Sequence, residues 1–293
     1  MRAEIQNFLK DFVSPSTKST YSYVLNSFAN SVNDKPLIKI TPSEVEHYIN
    51  RIIKEHGVVS NTTKVHQTVL KAFFKKHNRL DLIETLKKFK IQTPEQQIIS
   101  PEMIITKEEY EKLLKATECI RDEIILCMFW ETGARLSEIV DIKTNNILKI
   151  EIENEETGEM ETRHIIVVSG KGRKGKGKKS RQIPFTEKTF TKIQDYIKDQ
   201  NPKGTIIGIK KNGVSKLLLK LCAKAKIRAL HIHLFRHTFC TRMANKDVSI
   251  FKLKAMTGHE STKTLERYYH ATPEILIKEF DRVTGKTKEA FEK

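Results

Sequence analysis

The hydrophobic periodicity changes along this 293-residue chain, and the change limits the fold more than any other feature. Up to about residue 90, apolar residues recur at helical spacing, as in STKSTYSYVLNSFANSV. Residues 147–170 (ILKIEIENEETGEMETRHIIVVSG) and 180–185 (SRQIPF) alternate instead and are rich in Ile and Val, as strands are. Helical patterns return from Glu187 to the end. The sequence therefore predicts a mainly α protein with a small antiparallel β-sheet.

Residues 1–90 read as a helical domain of four or five helices. TPSEVEHYINRIIKEHG opens with a capping-box pattern, Thr41 or Ser43 before Glu44 or Glu46, and stops at Gly57. Residues 91–105 (IQTPEQQIISPEMII) contain two prolines and three glutamines with little periodicity, which predicts a linker. Residues 106–293 form the second predicted domain, beginning with helices over TKEEYEKLLKA and CIRDEIILCMFWETG.

Charge indicates the class of partner. Lys and Arg number 53 against 36 Asp and Glu, a net charge of +17, and such a surface attracts polyanions, most commonly nucleic acid. A general lysine bias is the alternative explanation. No stretch is apolar over the roughly 18 residues that a membrane span requires. The N-terminal MRAEIQNFLKDFV contains acids, unlike a secretory signal, so we expect a cytoplasmic protein.

The cysteines predict free thiols. Cys119, Cys127, Cys222 and Cys240 form no CxxC pair and lie in apolar or helical stretches. Buried, reduced thiols are the simplest expectation for all four.

Two segments of the second domain carry unusual cations. GKGRKGKGKKSR, residues 170–181, has seven Lys or Arg and four Gly, which suits either a loop along a phosphate backbone or a solvated turn. It lacks the GxxxxGK[ST] pattern of a nucleotide-binding loop. In ETGARLSEIVDIK, Arg135 follows Gly133 and Ala134 at a predicted turn into a helix, where its fork of donors suits an oxyanion. Glu138, three residues on, would hold it.

The segment HIHLFRHTFCTRMA, residues 231–244, places a histidine and an arginine on one helix face. His233 and Arg236 are spaced i,i+3 and would reach the same phosphate. His233 and His237 have the i,i+4 spacing of zinc ligands, and Cys240 is close. However, there is no HExxH glutamate and no acidic third ligand nearby, and a guanidinium lies between the histidines. We therefore expect no metal and no cofactor.

TGHESTKTLERYYH, residues 257–270, contains two adjacent tyrosines after a Gly-His pair. An aromatic face packed in a core is one interpretation. The other is a nucleophile: a tyrosine with a pKa of about 10 attacks poorly unless cations stabilise its phenolate and the phosphorane it forms. Two arginines, two histidines and a lysine would supply that stabilisation without a metal.

The order of these segments resembles that of the tyrosine recombinase (phage-integrase) family, and is closest to its Xer-type and small integrase members. The shared features are Arg135 in TGARLSE, the Gly-Lys-Gly hairpin, His-Leu-Phe-Arg-His, Gly-His, and a tyrosine nine residues later. Each motif alone is weak, but the order spans essentially the whole chain. The resemblance implies a helical core-binding domain (1–90), a linker (91–105) and an α+β catalytic domain (106–293).

The resemblance also implies residue roles. Arg135 and Arg236 would clamp the non-bridging oxygens of the scissile phosphate, and His233 and His259 would hydrogen-bond that phosphate and assist proton transfer. Tyr268 would attack to give a 3′-phosphotyrosyl link and a free 5′-hydroxyl, so neither ATP nor a metal is required.

Two assignments keep an alternative. The family spacing and a Tyr-x-His ending select Tyr268, with Tyr269 as the second choice. For the lysine, alignment from HIIVVSGKG selects Lys171, whereas alignment back from KKSRQIPF selects Lys176; the hairpin is longer than the family pattern. We prefer Lys171. Thr257 stands where the family often has leucine.

The resemblance implies double-stranded DNA as the partner. The protein would bind paired inverted half-sites as a dimer and act as a tetramer through a Holliday junction. Lys64, Lys71, Lys75 and Lys76 fall on one predicted helix that would face a DNA groove or only solvent. Two other functions remain: a type IB topoisomerase that relaxes supercoils, and a DNA-binding protein without catalysis. The C-terminal TPEILIKEFDRVTGKTKEAFEK would dock on its own domain or on a neighbouring protomer.

Overall fold

The computed structural model describes residues 1–92, 99–154, 156–170 and 180–269. Contacts divide the chain into two compact units, residues 1–95 and 96–293. Their architecture is mainly α-helical with one small antiparallel sheet, so the predicted fold class is confirmed.

The first unit is helical. Thr41 and Glu44 form the predicted capping box at the start of its third helix, and that helix ends at Gly57, whose φ of 85° is unfavourable for other residues. Ser60 caps the next helix by accepting a hydrogen bond from the backbone N–H of Thr63. The helices of residues 1–92 are α1 (Arg2–Lys10), α2 (Pro15–Ser31), α3 (Pro42–His56), α4 (Asn61–Lys76) and α5 (Leu80–Lys87).

Aromatic rings fill the core of the first unit. Phe28, Phe73 and Phe74 are fully buried there. The Tyr48 hydroxyl shares a 2.7 Å hydrogen bond with Nδ1 of His66, so the buried polar tips of both side chains are satisfied.

The second unit combines helices with the sheet. Its described helices are α6 (Lys107–Ala116), α7 (Ile120–Thr132), α8 (Leu136–Val140), α9 (Glu187–Gln200), α10 (Lys211–Lys224), α11 (Ile232–Ala244) and α12 (Ile250–Thr257). The strands are β1 (Ile147–Glu153), β2 (Met160–Ser169) and β3 (Ser180–Phe185). They pair in the order β1-β2-β3, antiparallel throughout. Ser169 pairs with Ser180, so the pairing of β2 with β3 extends to the last residue of β2 and the first residue of β3.

Helix α7 is central to the second unit, because every residue of its apolar run from Ile124 to Phe129 is buried, as expected of a helix that is hydrophobic all round. It ends at Gly133 in the left-handed conformation, φ 57°. A Cβ at Gly133 would lie within 2.4 Å of the Phe239 ring on α11, so only glycine allows the two helices to approach this closely. A separate, smaller cluster combines Phe239 of α11 with Leu253, Leu265 and Tyr268.

The cysteine prediction is wrong for one residue. Cys127, Cys222 and Cys240 are buried free thiols as expected, whereas Cys119 is free and exposed. Cys119 is the N-cap residue of α7, just outside the apolar part of that helix, which is why the surrounding sequence misled the prediction.

The predicted linker contributes to both cores. Ile91 packs in the core of the first unit and Ile105 in the core of the second. Among the described residues, no helix is both long enough and apolar enough to cross a membrane.

Candidate active site

Arg135 stands at the start of α8 and is fixed by Glu138. Its backbone N–H donates to Glu138 Oε2 at 2.7 Å, and its Nη1 donates to Glu138 Oε1 at 3.1 Å, as the three-residue spacing predicts. Its Nη2 donates to the carbonyl oxygen of Gly258 at 2.9 Å. Arg135 is therefore held against a turn that lies 123 residues further along the chain.

Arg236 projects from α11 toward the same turn and is buried, with 7% of its surface exposed. Its Nη1 donates to Gly133 O at 2.9 Å and its Nη2 to Thr257 O at 2.7 Å. Burial, with Arg135 as a neighbouring positive charge, lowers the pKa of Arg236 to about 10, so it stays charged at neutral pH. The two guanidinium groups thus converge on consecutive carbonyls, those of residues 257 and 258.

The turn is made by Gly258 and presents His259. Gly258 has φ 66°, and its added Cβ would lie 2.8 Å from Arg181 Nη1. Nδ1 of His259 lies 2.7 Å from Thr257 Oγ1, and Arg236 Nη2 lies 3.3 Å from both ring nitrogens. Burial and then the nearby arginines lower the pKa of His259 to about 3, so the ring is neutral at pH 7.

His233 is the more open member of the group. It lies one turn before Arg236 on α11 and its side chain is exposed. Partial desolvation, followed by the charge of Arg236, lowers its pKa. Because the ring stays neutral and reachable, it can exchange protons with a bound ligand.

Arg181, on β3, is a site residue that the sequence analysis did not single out. Its Nη1 and Nη2 donate to the two oxygens of Glu138 at 2.8 and 2.7 Å, and its Nε donates to Met256 O at 2.7 Å. Burial of the Glu138 carboxyl opposes ionisation, but hydrogen bonds from Arg181 and from the Arg135 backbone keep its pKa below the usual value. Glu138 therefore carries a full charge and aligns two arginines.

Tyr268 ends a short 3₁₀ helix, Glu266–Tyr268, and is 5% exposed. Its hydroxyl shares a 2.6 Å hydrogen bond with Nδ1 of His237, the residue after Arg236. Burial raises the pKa of Tyr268, and Cys240 acts in the same direction, while burial lowers the pKa of His237 to about 4. Both partners are neutral at pH 7.

Tyr269 points to a different partner. Its hydroxyl donates to Val248 O at 2.6 Å, and its half-buried ring packs on the cluster around Phe239. The two adjacent tyrosines thus differ in environment: Tyr268 contacts the helix of Arg236, and Tyr269 contacts the segment before α12.

The structure brings most of the predicted residues together. Arg135 and Arg236 both donate hydrogen bonds to the turn at 257–259, which includes His259. His233 lies on the same helix as Arg236, and the Tyr268 hydroxyl is hydrogen-bonded to His237, the next residue of that helix. Lys171 and Lys176, the two candidates for the lysine, lie outside the described residues, as does His270, the histidine of the Tyr-x-His ending. Within the described ranges, no group of three or more His, Cys, Asp or Glu side chains is arranged to hold a metal ion.

The helical first unit, the three-stranded sheet and this cluster of Arg, His and Tyr define an integrase-type architecture, and comparison with known sequences agrees. Residues 103–274 match the phage integrase family, and residues 2–84 match the phage integrase N-terminal SAM-like domain. The chain belongs to the phage integrase family.

Individual relatives and structures show the same likeness. The chain is 23% identical over 267 residues to the tyrosine recombinase XerA of Saccharolobus solfataricus, covering 90% of this chain and 85% of the relative. Its fold is shared with the XerH site-specific recombinase bound to difH substrate (TM-score 0.63, 18% identity, 90% of this chain and 78% of that one). It is also shared with a lambda integrase tetramer bound to a Holliday junction (TM-score 0.64, 16% identity, 92% and 77%).

Proposed function

We propose that this protein is a site-specific DNA recombinase that cuts and rejoins DNA through a covalent link to Tyr268. The observation that carries the proposal is the convergence of Arg135 and Arg236, from elements a hundred residues apart, on the turn that presents His259. The relatives named tyrosine recombinases support it.

The two arginines that donate to this turn are suited to bind a DNA phosphate. Arg135 Nη2 and Arg236 Nη2 bind carbonyl oxygens of Gly258 and Thr257. A phosphate oxygen accepts stronger, charge-assisted hydrogen bonds than a carbonyl does, so it would compete well for both groups. In this proposal the two arginines clamp the non-bridging oxygens, and His233 and His259 contact the same phosphate and move protons.

The chemistry follows from that clamp. The phenol of Tyr268 passes its proton to one of these histidines, and its oxygen forms a bond to phosphorus as the bond to the 5′-oxygen breaks, while the arginines stabilise the charge of the phosphorane. Lys171 protonates the leaving oxygen, with Lys176 as the alternative donor. The 5′-hydroxyl of a partner strand then attacks the phosphotyrosyl link, so the bond energy is conserved without ATP or metal.

The first unit is the proposed core-binding domain (1–90), followed by the linker (91–105) and the catalytic domain (106–293). Between α2 and α4 lies a groove of about 550 Å³. Its surface is mostly apolar, but its lining includes the polar side chains of Ser16, Thr17, Thr20, Asn61, Lys64 and Thr68, whose hydroxyl, amide and ammonium groups are of the kinds that bind phosphate oxygens. Neither helix has an acidic residue in its first turn. Lys76, by contrast, is paired with Asp11 at 3.0 Å, so in this proposal it contributes less to DNA binding.

We propose a dimer on paired inverted half-sites and a tetramer on two duplexes. Support comes from structures of the same fold, a lambda integrase dimer bound to a core site and a tetramer bound to a Holliday junction. A cytoplasmic location is part of the proposal, because DNA is the substrate, and the buried free thiols Cys127, Cys222 and Cys240 suit a reducing compartment.

The test begins with a binding site obtained by selecting duplexes from a randomised pool. A nicked duplex of the selected sequence, in EDTA, is incubated with wild type, Tyr268→Phe and Tyr269→Phe, and run on a denaturing gel. The expected result is a covalent protein–DNA adduct with wild type and Tyr269→Phe and none with Tyr268→Phe. Loss of the adduct only in Tyr269→Phe would overturn the assignment of the nucleophile.

Two further assays separate the other functions. Relaxation of a supercoiled plasmid without recombinant products would favour a topoisomerase, and selective binding without any adduct would favour a non-catalytic DNA-binding protein. A 5′-bridging phosphorothiolate, whose sulfur leaves without a proton, tests the lysine: it should restore cleavage to Lys171→Ala, while Lys176→Ala should need no rescue.

A further inference from the structure

Thr257 is the last residue of α12, and its hydroxyl joins two groups of the site. The residue is fully buried. Oγ1 lies 2.6 Å from the carbonyl oxygen of Leu253 and 2.7 Å from Nδ1 of His259. The bond to Leu253, four residues earlier, is the one that threonine commonly makes inside a helix.

The hydrogen of this hydroxyl can go to only one partner. A carbonyl oxygen is solely an acceptor, so the 2.6 Å contact requires the hydroxyl to donate to Leu253 O. Toward His259 the hydroxyl oxygen then acts as an acceptor, and Nδ1 must carry a hydrogen. A neutral imidazole has only one hydrogen on nitrogen, so Nε2 carries none and holds a lone pair.

The other groups around His259 do not reverse this assignment. Arg236 on α11, Arg135 at the start of α8 and Arg181 on β3 are positive and oppose a second proton on the ring, as does His237 to a smaller extent. Arginine has no acceptor atom, so the Arg236 Nη2 that lies 3.3 Å from both nitrogens cannot take the hydrogen of Nδ1.

We propose that Thr257 is a positioning residue that holds His259 as the Nδ1–H tautomer, leaving Nε2 as a proton acceptor at the phosphate site. The catalytic meaning rests on the proposed function, whereas the tautomer is a property of the free protein. With Nε2 unprotonated, His259 begins the reaction as a base, and it can donate a hydrogen bond to a phosphate oxygen only after Nε2 has taken up a proton. The opposite tautomer, with its hydrogen on Nε2, would begin as a donor.

The role can be tested without disturbing the arginine clamp. Arg236 binds the backbone carbonyl of Thr257, and only the side chain reaches His259. Thr257→Val keeps the shape of the side chain and removes the hydroxyl, and Thr257→Ser keeps the hydroxyl. Thermal unfolding of both variants shows whether the fold is retained.

The first experiment is ¹⁵N NMR of the full chain labelled at histidine, with His259→Gln used to identify the signals of His259. Wild type and Thr257→Ser should show a protonated Nδ1 and an unprotonated Nε2 at pH 7. Thr257→Val should shift toward hydrogen on Nε2. A wild-type ring with its hydrogen on Nε2, or an unchanged tautomer in Thr257→Val, would refute the proposal.

The second experiment is single-turnover adduct formation on the nicked duplex. We expect Thr257→Val to be about ten-fold slower, a part of the 10²–10⁴ that general acid–base catalysis supplies, and Thr257→Ser to stay within about two-fold of wild type. An equal rate in Thr257→Val despite a changed tautomer would refute the catalytic role. Absence of any adduct in wild type would instead refute the proposed function, while the NMR result on the free protein would still decide the tautomer.

Discussion

The hydroxyl of Tyr268 lies 2.6 Å from Nδ1 of His237, and the two side chains are 31 residues apart in the sequence. Because burial raises the pKa of the phenol and lowers that of the imidazole, neither is charged at pH 7 and the pair stays neutral. The free protein thus holds the proposed nucleophile as an unreactive phenol with its one polar atom satisfied.

A double-mutant cycle measures this contact. In His237→Phe the buried Tyr268 hydroxyl loses its partner, and we expect a loss of about 1–3 kcal/mol in the free energy of unfolding, the typical penalty for an unsatisfied buried group. The same change in a Tyr268→Phe background should cost clearly less. Urea denaturation of the four proteins gives the coupling energy. Equal losses in the two backgrounds would show that the bond does not stabilise the fold.

Stability should depend on pH through the buried histidines. The pKa values of His237 and His259 are lowered to about 4 and about 3, whereas the unfolded histidines titrate near 6.5. Below pH 6.5 the unfolded chain therefore takes up protons that the folded chain cannot bind, so the free energy of unfolding should fall as pH drops from 7 to 4.5. Denaturation midpoints across this range measure the slope, which should be smaller in His237→Gln. An unchanged slope in that variant would contradict the prediction.

Glu138 should be essential to the stability of the second unit. Its buried carboxylate accepts hydrogen bonds from Arg181 and Arg135, so Glu138→Gln leaves two guanidinium groups without a counter-charge. Removing one member of a buried ion pair typically costs about 3–5 kcal/mol. The control is Glu118→Gln: Glu118 contacts Lys220 and Lys224 on the surface, and its loss should have no measurable effect. Similar melting temperatures for both variants would contradict this prediction.

Gly133 and Gly208 offer a matched comparison. Both have φ 57°, so alanine meets the same backbone strain, roughly 1–2 kcal/mol, at each position. Only at Gly133 does the new methyl group collide with a ring, that of Phe239. Gly133→Ala should therefore lower the melting temperature distinctly more than Gly208→Ala, and Phe239→Leu should recover part of the difference. Equal effects of the two alanines would show that the approach of α7 and α11 is not limiting.

The sequence predicted the helices and strands well because their signals depend on residues close together in the chain. The capping box of Thr41 and Glu44, the helix stop at Gly57 and the alternation over β1 and β2 each need only neighbouring residues. The pairing of Arg135 with Glu138 is local too, one helical turn apart. The order of the motifs along the chain carried the family resemblance, which in turn supplied the expected roles of the site residues.

The contacts that the sequence could not show are long-range. Arg181 reaches Glu138, 43 residues earlier, only because β3 pairs with β2 and packs near α12. His237 carried a zinc motif in the sequence but meets Tyr268 instead. Thr257 looked like a minor departure from the family pattern, since its hydrogen bond to His259 exists only once Gly258 turns the chain back.

Three guanidinium groups, those of Arg135, Arg181 and Arg236, lie around one buried carboxylate, Glu138, in the described part of the chain, and of these three only Arg135 and Arg181 hydrogen-bond to it. This imbalance makes the free protein less stable than a neutral version of the same site would be, because like charges repel most strongly where water is scarce. Replacing Arg236, which donates to backbone carbonyls and not to a carboxylate, with a neutral residue would relieve this repulsion while weakening the proposed grip on a phosphate. In the proposed function, selection for a durable fold and selection for catalysis would therefore act on this arginine in opposite directions.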